Sequence, residues 1–146
     1  SNSVPNGTAA AVTNLEGWTN RAGAVEVWRN VPGFAPGEGS SNIELDHTGR
    51  GNRVEQVVTT ELGRSYTLSF LQSPRPGLST NSNKFNVFWN GTNLGTVARN
   101  GKGLTSTSWQ VTTFTVTGTG SDRISFREND ADSVGALIDD VRLVVL

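Results

Sequence analysis

At 146 residues the chain is long enough to close one filled core, and four Trp with six Phe place it among folded rather than disordered sequences. Twelve basic against 13 acidic residues leave a net charge of −1, which gives no electrostatic reason to expect nucleic acid or an anionic membrane as partner. There is no Cys, so disulfides and thiolate metal sites are excluded, and no apolar run reaches the roughly 18 residues of a membrane span.

The absence of Met reads as a mature product or an excised module. Taken in chain order, the sequence opens on a polar stretch, Ser1 to Thr8, and residues 1–12 are expected to be a loosely held segment of a single domain spanning 1–146. Beyond it, helical periodicity is nearly absent and alternation of apolar and polar residues predicts nine strands. They fall at 24–28, 42–46, 53–59, 65–72, 84–90, 94–99, 108–117, 123–127 and 137–145. Turn-rich stretches such as "PGFAPGEGS", "SPRPG" and "TGTGS" separate them. "VFWNGTNLGTV" predicts a tight hairpin at Asn90-Gly91. In "TSWQVTTFTVTG" Trp109 and Val111 are odd while Phe114 and Val116 are even, which predicts a bulge near Thr112-Thr113. Many short strands without helices predict an all-β fold, an antiparallel two-sheet β-sandwich of jelly-roll type.

Alternation also sorts the side chains. Val25 and Val27 face opposite to Glu26 and Trp28; Ile43 and Leu45 face opposite to Asn42, Glu44 and Asp46. Phe85, Val87 and Trp89 leave Asn86 and Phe88 on the other side. The non-core face of one sheet is therefore expected to gather Glu26, Trp28, Glu44, Asp46, Asn86 and Phe88, with Arg75 held between two prolines nearby. Rings beside carboxylates, amides and a guanidinium suit a sugar, whose C–H face stacks and whose hydroxyls need donors and acceptors. The same acids could instead pair with Arg50, Arg53 and Arg75.

Catalytic chemistry has little support. His47 is the single histidine, there is no Cys, and no Ser sits in a G-x-S-x-G setting. Oxygen-rich stretches do suit calcium, which takes six to eight oxygens. "RENDADS", with Glu128, Asp130 and Asp132, lacks the pattern of an EF-hand loop and reads first as an acidic turn. In "ALIDDVRLVVL" the parity of the strand puts Asp139 on the side of Leu137, Val141, Leu143 and Val145, where a carboxylate needs a partner. Asp140 points the other way, on the face of Arg142.

The stretches "GW", "GAVEVW", "IELD", "VEQVVTTELGRSYTLSF", the Trp of "TSWQ" and the closing "LIDDVRL" are similar to the galactose-binding-like jelly rolls. The chain resembles most the domain of unknown function 642 group and family 4/22-type carbohydrate-binding modules, from about Trp18 to Leu143. The resemblance implies a non-catalytic module of a larger bacterial extracellular or cell-surface protein, monomeric, binding a polysaccharide or glycan without membrane insertion. It also implies a structural calcium held by Asp139, with Glu16 of "NLEG" as an imperfect stand-in for the usual N-terminal acid. The competing expectation is a structural or protein-interaction module of a surface adhesin with no glycan site.

Overall fold

The computed structural model describes residues 4–47, 51–129 and 132–146; Arg50 and Asp130 lie outside the described residues. Among these the strands are β1 (Thr8–Val12), β2 (Thr19–Asn20), β3 (Val25–Arg29), β4 (Ser41–Glu44), β5 (Arg53–Thr59), β6 (Ser65–Ser73), β7 (Lys84–Trp89), β8 (Thr92–Ala98), β9 (Gln110–Thr117), β10 (Ser121–Glu128) and β11 (Leu137–Val145), with one turn of 3-10 helix at Asn81–Asn83. They form a six-stranded sheet ordered β1-β3-β4-β11-β6-β9 and a five-stranded sheet ordered β2-β5-β10-β7-β8. The paired strands are antiparallel, and the two sheets close an all-β jelly-roll sandwich. Among the described residues no helix is long and apolar enough to cross a membrane.

All nine predicted strands are present, their ends within two residues of the expected ones. β1 and β2 are additional. The N-terminal segment is not loosely held over its later half: β1 pairs with β3 from Thr8↔Arg29 to Val12↔Val25, and Val4 is buried. The run "TAAAV" has small side chains and no alternation, so its strand character comes from the neighbouring edge rather than from itself.

The core lies between the sheets. Leu68 and Phe70 of β6 and Ile138 of β11 meet Phe85 and Val87 of β7 and Ile124 and Phe126 of β10, all of them buried. Phe70 and Phe126 pack edge-on at 5.0 Å. Burying each such side chain contributes roughly 1.5–3 kcal/mol. The hairpin between β7 and β8 turns on Asn90 and Gly91 with φ of 50° and 82°, the double left-handed turn that matches strand twist.

Two irregularities correct the sequence reading. β9 pairs with β6 without interruption from Ser65↔Thr117 to Gln72↔Gln110, so no bulge occurs at Thr112-Thr113; Val111 simply points outward and is exposed. The bulge lies in β11 instead, where the register against β6 shifts between Asp139 and Arg142 and Asp140 takes φ of 47°. One extra residue reverses the alternation. Ile138 faces the core before the bulge, Val141 and Leu143 pack on it after, and Asp139, opposite Leu71, lies on the outer side.

Candidate functional site

The residues expected on one face belong to two. β3 and β4 place Glu26, Trp28 and Glu44 on the outer side of the six-stranded sheet, with the registers Glu26↔Glu44 and Trp28↔Asn42. Asn86 and Phe88 lie on β7, in the other sheet. Parity was right within each strand, but alternation carries no record of which sheet a strand joins.

Loops cover the outer face of the six-stranded sheet over β3, β4 and the start of β11, while Val111 of β9 and Val144 of β11 stay exposed. Phe34, from the β3–β4 loop, stacks on Trp28 at 4.1 Å, and the Arg75 guanidinium lies 5.4 Å from the Trp28 ring and 5.9 Å from the Phe34 ring. Glu44 is fully buried and accepts from Arg75 Nη1 at 2.6 Å, the Gly135 amide at 2.7 Å and Trp28 Nε1 at 3.2 Å. Burial pushes its carboxyl up to about 7, against the pull of the Gly135 amide and Arg75, and the hydrogen bond with Glu26 adds to the rise. Asp46 is buried beside Gly135. His47 stands 3.8 Å from Glu26. Trp28 therefore is not a sugar platform, and Glu44, Asp46 and Arg75 are not open ligand contacts. They hold the loops down: Arg75 has already given its charge to Glu44 and its face to two rings.

Asp139 answers the same way. Its Oδ2 accepts from the amides of Gly37 at 2.8 Å and Glu38 at 2.9 Å, and its Oδ1 from the Asp140 amide at 2.8 Å. Burial raises its pKa, and these three amides oppose the rise. Glu16, Asp139 and Asp140 all line a cleft of about 530 Å³ at the seam between the sheets, beside Trp18, Val27 and Phe126. Calcium binding needs lone pairs aimed at a common point, whereas the Asp139 oxygens already receive N–H protons. Among the described residues, no group of three or more His, Asp or Glu is placed to hold a metal. In this arrangement three amides satisfy Asp139, so its burial needs no ion to offset it. Asp140 pairs with Arg142 at 2.7 Å, as its parity after the bulge allows.

The outer face of the five-stranded sheet is open. One row across its strands reads Arg21, Arg53, Arg127, Asn86 and Thr96; the arginines and Thr96 are exposed. The next reads Thr19, Glu55, Ser125, Phe88 and Asn93. Phe88 is half-buried, with Ser125 and Asn93 as its cross-strand neighbours, so its ring stands in a strip of amides and hydroxyls. Asn86 accepts from Thr96 Oγ1 at 2.6 Å and donates to Asn129 at 3.1 Å. Glu55 is buried and reached by Arg21 at 2.5 Å, Arg53 at 3.4 Å and Arg123 at 3.7 Å. Of these charged residues the sequence singled out only Arg53, and as a partner for Glu26, Glu44 or Asp46; it pairs with Glu55 instead. The signal was present: in "RISFR" Arg123, Ser125 and Arg127 alternate with Ile124 and Phe126, and Lys84 shares the parity of Asn86 and Phe88.

No protein-family model matches the sequence, and no curated protein matches it. Solved structures do match in fold. A family 35 carbohydrate-binding module from Paenibacillus barcinonensis is 18% identical, with 94% of this chain and 98% of that one covered and a TM-score of 0.59. A family 61 carbohydrate-binding module in complex with β-1,4-galactotriose is 18% identical over 90% of each chain, TM-score 0.59. The K1 adhesin domain of Lys-gingipain from Porphyromonas gingivalis is 15% identical over 94% of this chain and 98% of that one, TM-score 0.66. The resemblance expected from the sequence holds at the level of architecture: this chain has the jelly-roll fold of the carbohydrate-binding modules.

Proposed function

We propose that the chain is a non-catalytic carbohydrate-binding module of a larger extracellular protein, and that its glycan lies across the outer face of the five-stranded sheet. The observation that carries the reading is Phe88. Its ring is set among Ser125, Asn93 and Asn86 on an uncovered sheet face, in a fold shared with modules that bind carbohydrate. An aromatic plane offers stacking to a pyranose C–H face, and Asn93 and Thr96, exposed on the neighbouring strand, offer donors and acceptors to its hydroxyls, while Ser125 lies buried beneath. Three of the buried acids are engaged in the scaffold, Glu44 with Arg75, Glu55 with three arginines and Asp122 with Thr60, which supports binding rather than hydrolysis.

Affinity electrophoresis against a panel of neutral and acidic polysaccharides tests the reading. Retardation by at least one polymer is expected, with Phe88→Ala weakening it roughly tenfold, the scale of an aromatic contact worth about 0.5–1.5 kcal/mol beyond its buried area. Retardation by none, or full retention by Phe88→Ala, would contradict it.

A further inference from the structure

We infer that this face selects an acidic polysaccharide, an inference that rests on the face being the glycan site. Arg21, Arg53, Lys84, Arg123 and Arg127 supply five of the chain's 12 basic residues to one sheet surface. Glu55 is the single acid in their strand rows, and its side chain is only 4% exposed. It meets three of the guanidiniums from below; among the described residues Arg127 and Lys84 have no ion pair on this face. Arg53 and Arg127 are direct cross-strand partners, an arrangement that like charges disfavour. A repulsive row maintained on an exposed sheet is relieved by an anion laid across it, and the planar guanidinium fork matches a carboxylate or sulfate.

The spacing asks for a polymer. Arg123 and Arg127 are four residues apart on one strand, roughly 13 Å by the strand rise. Arg53 and Arg127 step across adjacent strands, and Arg21, just past the end of β2, extends the row, about 4.8 Å at a time. A single acidic sugar meets one or two of them; an extended chain with repeated charges meets the row, with Phe88 beside it to stack a ring. The fold shared with carbohydrate-binding modules favours a polysaccharide over other polyanions.

The experiment uses the whole chain in gels or titrations with polygalacturonate, chondroitin sulfate, fully methyl-esterified polygalacturonate, neutral β-1,4-galactan and single-stranded DNA. Binding to a charged polysaccharide is expected, roughly tenfold weaker to its neutral counterpart and falling steeply with salt. Arg127→Gln combined with Lys84→Gln, which leaves the Glu55 cluster intact, should lose roughly tenfold in affinity with its melting temperature kept. Arg64→Gln, away from this sheet face, should bind as the unaltered chain does. Equal affinity for neutral and charged polymers overturns the charge inference while sparing the carbohydrate reading. DNA bound as tightly as any polysaccharide, or no effect of the double substitution, also overturns it. Failure of every polysaccharide removes the carbohydrate reading itself.

Discussion

Single residues show how context overrides pattern. Glu44 reads as an ordinary outward acid, yet the Phe34 loop and Arg75 bury it, and its carboxyl rises from the usual 4.5 to about 7. Between those values the folded chain holds a proton that the unfolded chain has released, so stability falls as pH rises through that window and levels off above it. The fall is on the order of 3 kcal/mol for such a shift. Asp122 works in the opposite sense: hydrogen bonds from Thr60, Thr119 and Asn90 outweigh its burial and hold it down at about 2, so its contribution is present above the normal carboxylate range and lost as pH drops toward 2. Urea denaturation from pH 3 to 8 should therefore peak between 4 and 5, and Glu44→Gln should flatten the descent on the alkaline side. An equally steep descent in that variant would refute the assignment.

Asp139 is legible as an acid needing a partner, but not as an acid bonded to the Gly37 and Glu38 amides, because the bulge at Asp140 reverses the parity that the argument used. Replacing it by Ala should cost about 2 kcal/mol through three lost charge-assisted hydrogen bonds. Because those bonds are to amides, the loss should be the same in calcium as in EDTA. A loss that appears only in calcium would restore the metal reading.

Elements were the most readable scale. Nine strands and the Asn90-Gly91 turn follow from alternation and turn chemistry, since each strand has one buried and one open side. β1 and β2 were not readable, being short and held by neighbours. Nor were the loop contacts, where three connections interlock over the six-stranded sheet. Gly101 exchanges hydrogen bonds with Gly77 and Leu78, and a Cβ there would lie 2.2 Å from the Arg75 carbonyl. Gly37 similarly passes under Leu71 and Trp109. Such close approaches depend on tertiary partners that no local pattern reveals. Gly101→Ala should lower stability by about 2 kcal/mol and increase amide exchange at 30–40 and 75–78, because backbone cannot yield as a side-chain tip can. Unaltered exchange in these loops would show that they do not depend on one another.

At the scale of the whole molecule, the net charge of −1 hides an uneven pairing. On the six-stranded sheet and its loops Arg75 answers Glu44 and Arg142 answers Glu38 and Asp140, while on the outer side of the other sheet one buried acid, Glu55, faces a row of arginines. Counting charges along the chain averages these surfaces to nothing; only the assignment of strands to sheets separates them. On the reading proposed above, the loop-covered part of the six-stranded sheet is structural and the outer face of the other sheet binds the glycan. Backbone amide shifts followed by NMR during titration with an acidic oligosaccharide test this most directly. Saturating shifts centred on 53–57, 84–88, 93–96 and 121–127 are expected, with little change at 30–40 and Arg75. Shifts centred on the Phe34 loop and Arg75, with the arginine row silent, would contradict it.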